Sequence, residues 1–147
     1  MSKRILIAGA GRGIGKATAE LAYQHGHSVI TITRSGSELQ DLTSPYKTIV
    51  TDLNNLEDIP FLTRSASEID AIINCTGTHP GARNFNVEGW AESVQLSITE
   101  NTKPALRLYQ AFLPFFRKRG SGHFVHVSSA ALDFFDPSEG GYCASKA

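Results

Sequence analysis

The sequence predicts an α/β fold built around a doubly wound parallel sheet. Three observations indicate this class. Short apolar runs alternate along the chain with segments of helical periodicity. The runs are continuously apolar, as in parallel strands that are covered on both faces. A cluster of glycines follows the first run directly, where such sheets bring a helix N-terminus to the sheet edge. With no repeat, linker or charge block, residues 1–147 are interpreted as one domain.

Five strands are predicted, and each has its own signal. The first, RILIA, is apolar and ends at glycines, whereas the second, SVITIT, is rich in β-branched residues. The third (KTIVT), fourth (AIINC) and fifth (HFVHVS) are short apolar runs of the length typical of strands. The predicted ranges are Arg4–Ala8, Ser28–Thr33, 47–51, 71–75 and 123–128.

Four helical segments separate these strands. The first has an apolar face at helical spacing and stops at Gly26. The third contains Pro60, which a helix tolerates only in its first turn. The fourth is long, and Pro104 is expected to kink or split it near Asn101. The predicted ranges are 13–25, 37–42, 56–67 and 90–119.

Composition excludes several classes of protein. A hydrophobic fraction of 41% rules out a disordered chain, and equal counts of 14 basic and 14 acidic residues argue against nucleic acid or anionic membrane as partners. No apolar run approaches the roughly 20 residues that cross a bilayer. Two cysteines cannot form a disulfide framework, and the five histidines lack metal-ligand spacing. These features predict a cytoplasmic protein without a metal site.

The glycine cluster after the first strand fits the pattern G-x-x-x-G-x-G on Gly9, Gly13 and Gly15. Glycines there let the backbone approach a phosphate, and the amides of the helix N-terminus then face the anion. The pattern G-x-x-x-x-G-K-[ST] fails, because Ala10 and Ala17 replace its first glycine and its hydroxyl residue. An ATP- or GTP-binding domain is therefore the weaker interpretation, and an ordinary glycine turn is the alternative without function.

The residues after the second strand bear on the cofactor. A carboxylate there would bind the 2′-hydroxyl of an adenosine ribose, but the sequence has Thr33 followed by Arg34. Arg12 lies within the glycine turn. Two guanidiniums near the expected ribose favour a 2′-phosphate, so NADP(H) is predicted over NAD(H). Each arginine alone would more often be a solvated surface charge.

The motifs together resemble those of short-chain dehydrogenases/reductases, whose fold is Rossmann-like. They follow the order of that family from one end of the chain to the other. They are Gly9-x-x-x-Gly13-x-Gly15, Asp52-Leu53, Asn74-Cys-Thr-Gly77, Asn101, Ser128-Ser129 and Tyr142-Cys-Ala-Ser-Lys146.

Tyr142 and Lys146 are four residues apart, which places both on one face of a helical turn. A nearby ammonium and the positive nicotinamide of an oxidised cofactor would favour the tyrosinate form. Tyr142 is then suited to give a proton to a carbonyl oxygen as hydride arrives from the cofactor, or to take one in reverse. Taken alone, such a pair is usually a surface contact.

The resemblance implies roles for further residues. Ser129 would bind the substrate oxygen, Asn101 would help to hold a water that relays protons, and Lys146 would hold the nicotinamide ribose. Asp52 would contact the adenine, although a helix-cap role is the alternative. Asn74 resembles a structural asparagine beside the central strands. The expected cofactor-binding residues are Gly9, Arg12, Gly13, Ile14, Gly15, Arg34, Asp52, Leu53, Asn74, Gly77, Tyr142 and Lys146.

The predicted function is an NADP(H)-dependent oxidoreductase that interconverts a small-molecule carbonyl and an alcohol. The alternative is a catalytically inactive dinucleotide-binding or assembly fragment, because Ala147 follows Lys146 directly and the family continues with further helices, strands and a substrate loop. In that case the turn carrying Tyr142 and Lys146 is expected to fray. The apolar and aromatic residues of the helix from Asn101 to Arg119 suggest a homo-oligomer, since that helix commonly forms a dimer interface in the family.

Overall fold

The computed structural model describes residues 1–34, 46–55, 57, 59–64, 68–81, 87–134 and 136–147. The short helix predicted at 37–42 lies outside the described residues. The statements below refer to the described ranges.

The strands form one parallel sheet in the order β3-β2-β1-β4-β5, which confirms the predicted fold class. The first two strands have the predicted bounds, and the other three end one or two residues earlier than predicted. The strands are β1 (Arg4–Ala8), β2 (Ser28–Thr33), β3 (Lys47–Val50), β4 (Ala71–Asn74) and β5 (His123–His126).

Five α-helices accompany the sheet. They are α1 (Gly13–Gln24), α2 (Ile59–Thr63), α3 (Trp90–Ser97), α4 (Lys103–Arg119) and α5 (Gly140–Lys146). The described part of the helix predicted at 56–67 is only the five residues of α2. Short 3₁₀ turns at Ala130–Leu132 and Pro137–Glu139 lead from β5 to α5.

The long helical segment is split, as predicted, but the split takes the form of a π-helical turn at Ile98–Thr102 between α3 and α4. Pro104 lies at the start of α4, and its ring would clash with the carbonyl of Glu100 in a regular α-helix. A wider turn relieves that clash. Glu100 and Asn101 consequently lie on the widened turn rather than on a regular helical face.

Alternating residues of β1 enter two apolar clusters, one on each face of the sheet. Leu6 packs in the cluster beneath α2 and α4, while Ile7 packs in the cluster beneath α1. Leu108, Phe112 and Phe116 of α4 belong to the first cluster and are at most 6% exposed. The aromatic residues of α4, which suggested a homo-oligomer, are therefore largely core, and self-association stays a prediction.

The strand order places a switch point between β1 and β4. The chain passes outward from β1 through β2 to β3, and then returns to lay β4 on the other side of β1. The loops that follow β1 and β4 therefore leave the sheet in opposite directions and open a crevice at its carboxyl edge. Of the described helices, none is long and apolar enough to cross a membrane.

Candidate functional site

A cavity of about 260 Å³ opens at the carboxyl edge of the sheet, between the loops that follow the first four strands and the π turn. Nine of the predicted cofactor-binding residues line it. They are Gly9, Arg12, Gly13, Ile14, Gly15, Arg34, Asp52, Leu53 and Gly77. The remaining three, Asn74, Tyr142 and Lys146, do not line this cavity, and their positions are described below.

The glycine turn is built so that only hydrogen fits at two of its positions. Gly9 has a φ of +77°, and a Cβ on it would lie 2.9 Å from the backbone of Cys75 and Thr76. A Cβ on Gly15 would lie 2.1 Å from the carbonyl oxygen of Gly9. The first turn of α1 thus packs directly on the turn that precedes it, with Gly13 also in the cavity wall. Such close packing of strand, turn and helix is what the glycines of a dinucleotide-binding turn allow.

Arg34 is paired with Glu100 across the cavity wall. The sequence predicted Arg34 as a cation available to a 2′-phosphate, whereas the structure gives it a carboxylate partner on the π turn. The side chain of Arg34 is 60% exposed and that of Glu100 is 19% exposed. Glu100 was missed by the sequence reasoning, because no periodic pattern relates residue 100 to the end of β2.

Asp52 and Asn74 shape the loops at the ends of β3 and β4. Asp52 Oδ1 accepts a hydrogen bond of 2.9 Å from the amide of Asn54, which makes a local turn rather than the helix cap that was the alternative to adenine contact. Asn74 is 4% exposed, and its Oδ1 accepts hydrogen bonds from the amide and the hydroxyl of Thr76 at 3.1 and 2.7 Å. These contacts fix the backbone where it leaves β4 for the cavity.

Asn74 also binds the imidazole of His126 on β5. Its Nδ2, which can only donate, lies 3.2 Å from His126 Nδ1, and His126 Nε2 lies 2.8 Å from the hydroxyl of Tyr109. His126 Nδ1 therefore accepts and Nε2 carries the proton. Burial lowers the pKa of His126, and the positive charge of Lys146 lowers it further. The imidazole is thereby held neutral.

Gly77, Asn101 and Lys146 meet at one point. A Cβ on Gly77 would lie 2.9 Å from Lys146 Nζ and 3.0 Å from Asn101 Oδ1. Lys146 Nζ donates to the carbonyl oxygen of Val127 at 3.0 Å and lies 3.5 Å from that of Thr76. Since Gly77 also lines the cavity, the structure brings the predicted lysine and asparagine to its edge.

Asn101 is 4% exposed, and its carboxamide connects three segments of the chain. Its Oδ1 accepts from the amide of Thr78 at 2.7 Å. Its Nδ2 donates to the carbonyl oxygen of Thr78 at 3.1 Å and to the hydroxyl of Ser145 at 2.8 Å. The side chain therefore ties the loop after β4 to α5, through contacts that the sequence did not predict.

Side chains from outside α5 bond to the helical turn that carries Tyr142 and Lys146. Besides the bond from Asn101, Thr102 Oγ1 donates to the carbonyl oxygen of Ser145 at 3.3 Å, and Ser128 Oγ donates to that of Lys146 at 3.0 Å. Side-chain donors from the π turn and from the end of β5 thus supplement the few bonds of a seven-residue helix.

Tyr142 is half-buried, and its ring packs edge-on against the imidazole of His79, with centroids 4.6 Å apart. His79 Nε2 in turn lies 3.0 Å from a carboxylate oxygen of Glu139. His79 lies on the loop after β4 and Glu139 directly precedes α5. Sequence reasoning assigned His79 no role, since a lone histidine in a loop carries no signal of its own.

The two serines after β5 differ in what their hydroxyls do. Ser128 donates its proton to the carbonyl oxygen of Lys146, as described above. Ser129 Oγ instead accepts a hydrogen bond of 3.2 Å from the amide of Ala131, which leaves its hydroxyl proton for another acceptor. The geometry is compatible with the choice of Ser129 over Ser128 as the substrate-binding serine.

The pKa values of Lys146 and Cys75 depend on each other, since the two side chains lie close together beside the cavity. Burial lowers the pKa of Lys146, and the Cys75 thiol partly offsets that shift. Burial raises the pKa of Cys75, while a hydrogen bond with Thr18 and the charge of Lys146 act in the opposite direction. Across the described ranges, no group of three His, Cys, Asp or Glu side chains is placed to hold a metal ion.

Comparison with known proteins agrees with the motifs. A family model described as short chain dehydrogenase matches residues 3–147. An uncharacterized oxidoreductase of Staphylococcus epidermidis is 29% identical over 147 aligned residues, which cover 93% of this chain and 61% of that protein. The chain therefore spans less than two thirds of the length of this curated relative.

Solved structures show the same fold. A short-chain dehydrogenase from Streptomyces avermitilis has a TM-score of 0.85 and 28% identity, over 99% of this chain and 56% of that one. The closed form of a serine dehydrogenase complexed with NADP⁺ has a TM-score of 0.85 and 26% identity, over 97% of this chain and 60% of that one. In both cases the matching region is the parallel sheet with its helices.

Proposed function

Since the chain belongs to the short-chain dehydrogenase family, we propose that residues 1–147 form an NADP(H)-binding domain whose site interconverts a carbonyl and an alcohol. One observation carries this proposal. Gly77 lies in the wall of the cavity that the glycine turn also lines, and both Lys146 Nζ and Asn101 Oδ1 lie beside it. The position of Lys146 and Asn101 at the edge of the cavity that the glycine turn lines supports a single site for cofactor binding and proton transfer.

The cofactor assignment is supported by the glycine turn and by the cations near it. Gly9 and Gly15 pack against neighbouring backbone where a Cβ would not fit, as the glycines of a dinucleotide-binding turn do. Arg12 and Arg34 lie in the same cavity wall and supply guanidinium donors suited to a 2′-phosphate. The serine dehydrogenase with the same fold is complexed with NADP⁺. Asp52 and Leu53 would contact the adenosine, and Lys146 the nicotinamide ribose.

The bound cofactor would supply or accept hydride, so the residues have to place the substrate and move a proton. Tyr142 donates its phenolic proton to the substrate carbonyl oxygen in reduction and recovers it in oxidation. The Ser129 hydroxyl donates a hydrogen bond to the same oxygen. Asn101 holds the loop after β4 against α5 and helps to hold the water through which Tyr142 exchanges its proton with solvent.

A titration of the chain with NADPH, NADH and ATP tests the cofactor assignment. NADPH is expected to bind most tightly, NADH more weakly, and ATP weakest of the three. Saturable binding of ATP without binding of either nicotinamide nucleotide would instead favour the nucleoside triphosphate interpretation.

Oxidation of NADPH in the presence of a panel of ketones and aldehydes tests the reaction. Tyr142→Phe is expected to abolish turnover, because the substituted ring keeps its packing against His79 but has no proton to give. Tyr23→Phe is the matched control, since Tyr23 is exposed on α1 and packs against Tyr46 outside the site. Equal turnover by the wild type and Tyr142→Phe would contradict the role of Tyr142.

A second candidate is a dinucleotide-binding chain without catalysis. It is favoured by one observation, namely that Tyr142 and Ser129 are not among the residues that line the cavity. NADPH binding without oxidation by any member of the panel is the result that supports it. The cofactor assignment is common to both candidates.

A further inference from the structure

We propose that Glu100 limits the preference of the site for a 2′-phosphate by competing with that phosphate for Arg34. The inference rests on the proposed function, since it assumes that an adenine dinucleotide binds in the cavity. It concerns a residue of the π turn that neither the glycine turn nor the predicted catalytic set includes.

Two features set the position of Glu100, namely the π turn that carries it and its contact with Arg34. Because the Pro104 ring would clash with the carbonyl of residue 100 in an α-helix, the chain takes a π turn there. Glu100 and Pro104 both line the cavity from this turn. The carboxylate then meets the guanidinium of Arg34, which directly follows β2.

Glu100 changes the net charge of the cavity wall. The charged side chains that line the cavity, among the residues that the structure describes, are Arg12, Arg34, Asp52 and Glu100. Their formal charges cancel, so the two arginines do not form the positive site that the sequence alone suggests. Without Glu100 the same wall would carry one net positive charge.

The exposure of the ion pair indicates that Glu100 competes with other anions for Arg34 and does not hold Arg34 permanently. Arg34 is 60% exposed, and such an exposed pair is weak enough for another anion to displace. A phosphate that takes the donors of Arg34 would then lie close to the Glu100 carboxylate and be repelled by it. A ribose with a 2′-hydroxyl brings no charge and does not meet this repulsion. Glu100 therefore weakens the binding of NADP(H) and has little effect on the binding of NAD(H).

Calorimetric titration with adenosine 2′,5′-bisphosphate and with adenosine 5′-monophosphate separates these effects without any enzymatic assay. Glu100→Gln keeps the size of the side chain and is expected to tighten binding of the bisphosphate about three- to tenfold, since it removes one nearby negative charge. Binding of the monophosphate should change less than about twofold. The increase in bisphosphate affinity of Glu100→Gln should be smaller at high salt. Glu92→Gln on α3, exposed and outside the cavity, is the matched control and should change neither.

Arg34→Ala provides the second test, because an exposed arginine can be replaced without harm to the core. It should weaken the bisphosphate about tenfold or more, and Glu100→Gln should then give a clearly smaller gain in this background. Weaker or unchanged bisphosphate binding by Glu100→Gln would overturn the proposal, since it would make Glu100 a support for Arg34 or a bystander. A wild-type chain that binds neither nucleotide would overturn the proposed function itself, together with this inference.

Discussion

Asn101 donates a hydrogen bond of 2.8 Å to the hydroxyl of Ser145, so the π turn and the helix that carries Tyr142 and Lys146 are joined directly. The same carboxamide binds both backbone groups of Thr78 on the loop after β4. One buried side chain therefore contacts the loop after β4 and α5 from the π turn, in addition to the bond from Thr102 to α5.

Removal of this carboxamide should loosen the site. Asn101→Ala leaves the amide and the carbonyl of Thr78 without their partner, and we expect a loss of about 1–3 kcal/mol in the free energy of unfolding. Ser145→Ala removes one of the three bonds and should cost about 1 kcal/mol or less. Urea denaturation of both variants and of the double variant measures the coupling. Fully additive losses would contradict a shared hydrogen bond.

The thiol of Cys75 should react slowly. Its pKa lies above the ordinary value of 9.0 because of burial, so little thiolate, the reactive form, is present near neutral pH. Iodoacetamide at pH 7.5 should therefore modify Cys75 more slowly than free N-acetylcysteine. Lys146→Met should slow the reaction further, since Lys146 lowers that pKa, whereas Lys16→Met on α1 serves as the control.

Mass spectrometry of each modified peptide follows this reaction. Because Cys75 lines the cavity, saturating NADPH should protect it. Fast alkylation that NADPH leaves unchanged would contradict both the thiol's burial and the position of the cofactor. Cys143 is 5% exposed and should stay unmodified while the chain is folded.

The imidazole of His126 should make stability depend on pH. Its pKa is lowered below the ordinary value of 6.5, so the unfolded chain binds a proton at a higher pH than the folded one does. The free energy of unfolding should fall as the pH drops from about 6.5, and this contribution should level off below the folded pKa. Urea denaturation across this range, with an NMR titration of the imidazole, measures both effects.

His126→Gln should flatten this dependence, because glutamine does not titrate. His123→Gln is the matched control, since His123 lies exposed on the same strand. A His126 pKa at or above 6.5 would contradict the account, as would an undiminished pH dependence in His126→Gln.

Sequence reasoning succeeded where a signal is local. The continuous apolar runs gave the bounds of β1 and β2, and the spacing of Gly9, Gly13 and Gly15 placed the turn that lines the cavity. Parallel order followed from the alternation of strands and helices, since such connections require crossovers. These features depend on neighbouring residues, which the sequence displays directly.

Contacts between distant segments could not be predicted in this way. Glu100, on the π turn before α4, meets Arg34 after β2, and His79, on the loop after β4, meets Tyr142 on α5. Both pairs join residues more than 60 positions apart in the sequence. Pro104 predicted an interruption but not its form. The three hydrogen bonds that anchor α5 come from side chains at least 18 residues away, so helix length, on which the expectation of fraying rests, does not reveal them.

The most direct test is fluorescence titration of NADPH into the wild-type chain and Gly15→Ala. A Cβ at position 15 would lie 2.1 Å from the carbonyl oxygen of Gly9, so the turn must shift, and NADPH affinity should fall at least about tenfold, or about 1.4 kcal/mol. Gly140→Ala is the control, because a Cβ at this helical position meets nothing within 4 Å. Saturable wild-type binding that only Gly15→Ala weakens is the result expected for a phosphate-binding glycine turn. No NADPH binding by the wild type, or equal binding by a folded Gly15→Ala, would contradict it.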